Sequence, residues 1–143
     1  MELSYAVFLL SPHSDKIARA VKKERKAYFF DWGRCRTEAK RFENYIAVEL
    51  KAMTDLWHDQ GLADFDLRYV RTRDGKETDF LITRDGAPWC LFEAKLQDGA
   101  VERHHLGQAG ALGNVPYVQL ARESGICKIP FPGVYRISAG RFF

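Results

Sequence analysis

The sequence predicts an α/β domain in which a central mixed β-sheet is flanked by helices. Three observations carry that prediction. The chain has 143 residues, enough for one domain with a sizeable core and too few for two. Residues 38–57 place apolar side chains at helical spacing. Residues 67–95 hold three β-rich runs separated by Asp-Gly turns, the strongest short-range hairpin signal. The expected organisation is a single domain over 1–143, with lead-in strands and a helix over 1–34 and a core over 38–138.

Residues 3–10 alternate loosely and read as a strand. Ser14 or Asp15 can cap a short helix from Lys16 to Lys23, with Ile17, Ala20 and Val21 on its apolar side. KAYFFDWG (26–33) reads as a strand ending at a glycine turn. In the helix over 38–57, Phe42, Tyr45, Ile46, Leu50, Met53 and Trp57 form the apolar stripe, Thr37 is the candidate cap and Gly61 the stop. LRYVRT (67–72), ETDFLIT (77–83) and WCLFEAK (89–95) form a meander. A helix over 101–112 is weakened by Gly107 and Gly110. VPYVQLA (115–121) and GVYRIS (133–138) are the last predicted strands.

The composition excludes some classes. Hydrophobic residues make up 46% and charged residues 29%, as in ordinary globular chains. No apolar run approaches the ~20 residues of a membrane span, so no membrane partner is expected. MELSYAVFLL lacks the basic start of a secretory signal. Cys35, Cys90 and Cys127 are widely spaced and odd in number, which argues against a disulfide framework; Cys90, in an apolar run, reads as a buried thiol. A cytoplasmic location is expected. No G-x-x-x-x-G-K-[ST] phosphate loop occurs, so this chain supplies no ATPase of that kind. The net charge is only +3, but residues 16–41 hold ten Lys and Arg against Glu24, Asp31 and Glu38. Lys22, Lys23, Arg25 and Lys26 are therefore candidate nucleic-acid contacts, with a solvated helix face as the alternative.

The sharpest signal is the hairpin ETDFLITRDGAPWCLFEAK (77–95). With a loop at 84–88 centred on Gly86, position 81 faces 91 and 79 faces 93. Asp79 and Glu93 become opposed neighbours on one face, with Cβ atoms roughly 4.5–5.5 Å apart, and the next pair is Glu77 with Lys95. Opposed carboxylates repel. A divalent cation, Mg²⁺ or Mn²⁺, would compensate, since Mg²⁺ takes carboxylate oxygens at about 2.1 Å. Lys95, one pleat along from Glu93, could hold or activate a water beside it. The alternatives are a plain Glu77–Lys95 ion pair and two solvated acids.

These motifs resemble the PD-(D/E)XK nuclease superfamily, the restriction-endonuclease-like fold: Glu43 on the helix, Asp79 on the second core strand, Glu93 and Lys95 as E-x-K on the third. Thr78 stands where the superfamily carries proline. F-E-N-x-x-A-x-E-L (Phe42 to Leu50), Y-x-R-T-x-x-G-x-E-x-D-F (Tyr69 to Phe80), E-A-K, and K-x-Y-F-x-D-x-G (Lys26 to Gly33) are similar to the nuclease-like C-terminal domain of prokaryotic AAA+-type ATPases. The similarity covers roughly residues 1–100, without the ATPase.

The resemblance implies a Mg²⁺- or Mn²⁺-dependent nuclease acting on DNA, with Asp79, Glu93 and Glu43 at the metal and Lys95 at the water. The alternative is an inactive nuclease-like module that binds nucleic acid, a partner protein or a separate ATPase. Dimerisation would help to cut both strands. Glu77 reads as a supporting or salt-bridging residue. Gln108 lies where some related nucleases carry a functional glutamine, with a surface or capping role as the default. His104 and His105 are adjacent and do not share a helix face, so a two-histidine metal site is not expected; a solvated or phosphate-touching role is. Trp32, Trp57 and Trp89 read as core or edge residues.

Overall fold

Thr37 opens the longest element: its Oγ1 accepts from the Lys40 N–H at 3.3 Å, satisfying one free donor of the first turn. In this computed structural model, which describes residues 6–14 and 24–143, the elements in chain order are β1 (Val7–Leu10), β2 (Lys26–Phe29), α1 (Glu38–Asp59), β3 (Phe65–Arg71), β4 (Glu77–Arg84), β5 (Ala87–Lys95), α2 (Arg103–Ala111), β6 (Tyr117–Ala121), β7 (Cys127–Phe131), β8 (Val134–Ser138) and α3 (Ala139–Phe142). The expected helix over 16–23 lies outside the described residues, as does the start of the first strand.

The fold is α/β. Six strands form a mixed sheet in the order β3-β4-β5-β6-β8-β7. The β3-β4-β5 meander is antiparallel, β5-β6-β8 are parallel, and β7 closes the far edge antiparallel to β8. The chain reaches β6 through α2, a crossover that parallel pairing requires. β1 and β2 form a separate antiparallel pair.

Helices cover both faces. On one, Phe42, Ile46, Ala47 and Leu50 of α1 pack with Phe8, Leu10 and Tyr28 against Tyr69, Phe80, Ile82, Phe92 and Leu120. On the other, Ala109 and Leu106 of α2 pack against Val70, Leu81, Leu91, Tyr117 and Val134. Each fully buried side chain of this kind contributes about 1.5–3 kcal/mol, so the two clusters fix which face each strand residue takes. Cys90 is buried in the α1 cluster, where burial pushes its thiol up to about 12.

Two β-bulges shape the meander. The β4–β5 turn is only Asp85-Gly86, both with positive φ (51° and 81°), not the expected loop over 84–88. Such φ values suit a two-residue hairpin of Asp-Gly type. Trp89 is then an extra residue in β5, because Thr83 faces Pro88 while Ile82 faces Cys90. The bulge restores the expected register, with Phe80 opposite Phe92 and Leu81 opposite Leu91. In the β3–β4 ladder, Arg68 faces Leu81 and Val70 faces Thr78, so Tyr69 alone opposes both Asp79 and Phe80.

β7 and α3 were not expected. Pro130 removes a ladder donor from CKIPF and fits only an edge strand, which β7 is. No helix among the described residues is long and apolar enough to cross a membrane.

Candidate active site

The backbone ladder between β4 and β5 begins at Phe80–Phe92, although β4 starts at Glu77 and β5 runs to Lys95. Side chains occupy the gap. The Asp79 N–H donates to Glu93 Oε2 at 3.0 Å, and the Ala94 N–H donates to Asp79 Oδ2 at 3.0 Å. Each carboxylate thus stands where the opposite strand's carbonyl would otherwise accept.

Asp79 and Glu93 do not share a face, contrary to the sequence expectation. Cys90 and Phe92 face α1 and Leu91 faces α2, so Glu93 and Lys95 continue on the α2 face. The bulge opposite Tyr69 reverses the alternation in β4: Thr78 points to α2, while Asp79 joins Phe80 toward α1. The two acids meet across the gap from opposite sides.

On the α1 face, Glu43 Oε1 accepts from the Tyr28 hydroxyl at 2.9 Å. Lys26 Nζ lies 4.0 Å from Glu43 Oε1 and 2.6 Å from Glu77 Oε1, over the Tyr69 ring. Asn44, only 4% exposed, accepts from the Phe29 N–H through Oδ1 and donates to the Phe29 carbonyl through Nδ2. It clips β2 to α1 as an added strand would, and so sets Lys26 and Tyr28 over Glu43. Glu77 pairs with Lys26 and Arg71. The expected Glu77–Lys95 pair does not form, because the two residues leave the sheet on opposite faces.

On the α2 face, Lys95 Nζ lies 3.2 Å from both Glu93 Oε1 and Glu102 Oε1. His105, 1% exposed, binds Thr78 Oγ1 through Nδ1 at 2.7 Å and sets Nε2 at 3.7 Å from Glu93 Oε1. Gln108 is buried, neither a surface nor a capping residue. Its Oε1 accepts from the Thr78 hydroxyl and its Nε2 donates to the Lys76 carbonyl at 3.1 Å. His104 Nε2 donates to the Glu77 carbonyl at 2.9 Å, and His104 Nδ1 lies 3.5 Å from Glu102 Oε2. His105 is buried, His104 is partly exposed, and the two are not turned apart: their ring centroids are 3.9 Å from each other. Helical spacing fixes Cβ positions, but an imidazole offers nitrogens at two different reaches, and in the first turn of α2 the two rings converge.

The electrostatics follow from burial. Burial, then the charges of Glu93 and Glu43, hold the Asp79 carboxyl well above the usual carboxylate range. Burial likewise raises Glu93, against the hydrogen bond from the Asp79 backbone and the charge of Lys95. Burial alone would lower Lys95, but Glu93 and Glu102 outweigh it and hold the ammonium above its ordinary value. Lys26 is raised in the same way, with burial outweighed by Glu77, Asp79 and Glu43. The centre is thus a pair of acids, Asp79 half-buried and Glu93 buried, flanked by two ammonium groups, one per face.

A surface cleft lined by Lys26, Arg34, Arg36 and Lys40 runs up to Glu43. Arg25 is exposed; Lys22 and Lys23 lie outside the described residues. The sequence reading gave no role to Tyr28, Asn44 or Glu102, and it expected His105 to be solvated or to touch phosphate, whereas His105 is buried. A polar Asn44 flanked by the apolar stripe of α1 was the available signal for one of them. Comparison with protein-family models, with curated proteins and with solved structures gives no match.

Proposed function

We propose that this chain is a metal-dependent phosphodiester hydrolase acting on DNA, built on a sheet of the restriction-endonuclease type. The observation that carries the reading is the pair Asp79 and Glu93. These are a half-buried and a buried carboxylate interlocked across an opened ladder, with raised proton affinity and with Lys95 touching one of them. Each spends one oxygen on a backbone N–H; the second oxygen of Glu93 is paired with Lys95 Nζ at 3.2 Å, and Asp79 has its Oδ1 besides. This all-oxygen set fits Mg²⁺ or Mn²⁺, which Asp79 and Glu93 would hold with Glu43 in support. When bound, the cation neutralises phosphate charge and acidifies water.

The chain's own groups do the rest. Lys95, kept cationic, donates to the attacking water or to a phosphoryl oxygen and stabilises the negative charge that develops there. Its raised pKa suits this role better than proton abstraction. Tyr28 and Lys26 hold Glu43 toward Asp79. The cations of the cleft beside Glu43 meet the phosphate backbone.

A second reading has its own support. The charge of Lys26 already acts on Asp79 and Lys95 pairs with Glu93, so the acids have counter-charges without a metal, as an inactive module binding nucleic acid or a partner ATPase would require. Calorimetric titration of Mg²⁺ and Mn²⁺, beside Asp79→Ala, with cleavage assays on DNA, separates the two. Binding and cleavage in the wild type, both lost in Asp79→Ala, is the expected result. Cleavage that persists in purified Asp79→Ala and Lys95→Ala overturns the assignment. Salt-sensitive DNA binding without turnover selects the module.

A further inference from the structure

We infer that the start of α2 carries a second cation site, distinct from the Asp79–Glu93 pair and built for a nitrogen-seeking ion of the Zn²⁺ or Co²⁺ kind, with Glu102, His104 and His105 as its ligands. Among the described residues these three are the one group of three or more metal-ligating side chains whose ligand atoms all lie within 4.8 Å of one another.

The hydrogen bonds around the rings decide which nitrogens are free. A carbonyl only accepts, so His104 Nε2 carries the proton it gives to the Glu77 carbonyl. Its lone pair is left on Nδ1, 3.5 Å from Glu102 Oε2. The Thr78 hydroxyl spends its proton on Gln108 Oε1 and so accepts from His105 Nδ1. The His105 lone pair is left on Nε2. That atom is buried and, among the described residues, is the one buried side-chain nitrogen or oxygen without a hydrogen-bond partner. Both rings are thus fixed by an outer bond and present an unprotonated nitrogen inward, the arrangement that orients metal-binding histidines.

The spacing fits. Two donors about 2.1 Å from a tetrahedral ion stand roughly 3.4 Å apart, close to the 3.5 Å between His104 Nδ1 and Glu102 Oε2. Glu102 gives Oε1 to Lys95 and keeps Oε2 for this purpose. Two imidazoles and one carboxylate favour Zn²⁺ or Co²⁺ over Mg²⁺. The partial positive charge at the start of α2 opposes a cation, and the carboxylate of Glu102 at the cap position offsets it. Glu93 Oε1, 3.7 Å from His105 Nε2, borders the site on its inner side.

The test is calorimetric titration of the whole chain with Zn²⁺ in excess Mg²⁺, together with visible absorption of the Co²⁺ form. The wild type should bind one Zn²⁺ that Mg²⁺ does not displace, and Co²⁺ should give intense tetrahedral bands. His104→Ala and Glu102→Gln, both changes at accessible positions, should each weaken Zn²⁺ at least tenfold and remove the bands. Thr78→Val should weaken it roughly 10–100-fold by releasing the His105 tautomer. Asp79→Asn should leave Zn²⁺ binding intact while abolishing Mg²⁺ binding, so this site and the oxygen-lined one fail separately. Zn²⁺ that Mg²⁺ displaces in the wild type, or Zn²⁺ affinity unchanged in both His104→Ala and Glu102→Gln, overturns the inference.

Discussion

Glu93 holds the backbone of Asp79 in place of a sheet carbonyl: its Oε2 accepts the Asp79 N–H at 3.0 Å, and Asp79 returns the contact through the Ala94 N–H. The carboxylates are therefore structural rungs as well as site groups, and removing their charge has consequences for stability.

Asp79 binds its proton more tightly folded than unfolded, because of burial and the charges of Glu93 and Glu43. The stability this proton contributes is fully present below the ordinary carboxylate value of about 3.9 and is lost as pH rises through the raised folded value. Metal-free Asp79→Asn should therefore melt above the wild type at pH 7–8 and close to it at pH 4. Each tenfold in proton affinity is worth about 1.4 kcal/mol. Thermal melts in chelator across that range read the difference. A variant that melts below the wild type at every pH contradicts it.

Lys95 is held cationic beside Glu93 and Glu102. Lys95→Ala should lower DNA cleavage by about 10²–10³, the usual loss on removing one charge-stabilising donor. Being partly exposed, its ion pairs contribute at most about 1 kcal/mol, so the unfolding midpoint should move little. Single-turnover cleavage alongside urea unfolding distinguishes a lost site from a lost fold.

Asn44 satisfies both backbone groups of Phe29 from inside α1. Asn44→Ala strands that donor and acceptor and should cost about 1–3 kcal/mol, read as a lower urea midpoint with an unchanged slope. Because Tyr28 and Lys26 ride on the same strand, Mg²⁺ affinity should fall as well. Full affinity in a destabilised variant would show that β2 takes no part in the site.

Arg36 lines the cleft beside Glu43 and is exposed. Arg36→Ala should weaken DNA binding by a similar factor for all sequences and reduce the salt slope by about one. Fluorescence anisotropy at several salt concentrations measures both, and an unchanged slope removes the cleft from the binding surface.

Much of the α/β frame was legible because its signals are local. The apolar stripe of α1, its Thr37 cap and the Asp85-Gly86 turn each follow from a few neighbouring residues. Even the register of Phe80 with Phe92 came out despite a wrong loop length, because the bulge at Trp89 supplies the residue that the shorter turn removes. What sequence spacing did not reveal depends on partners distant in the chain. The bulge that turns Asp79 toward α1 arises opposite Tyr69, and alternation alone places the acid on the wrong face. The inward nitrogen of His105 is set by Thr78 and Gln108, and no periodicity encodes a ring tautomer. β7 stayed hidden because Pro130 reads as a breaker wherever the pairing partner is unknown.

The opened end of the β4–β5 ladder makes two peptide hydrogens into reporters. Those of Asp79 and Ala94 are sealed by carboxylates and not by the sheet. A cation that takes the remaining oxygens pins those carboxylates and tightens the seal without changing either strand. Hydrogen exchange at two positions thus becomes a gauge of occupancy that needs no substrate, and the remainder of the meander serves as its internal reference.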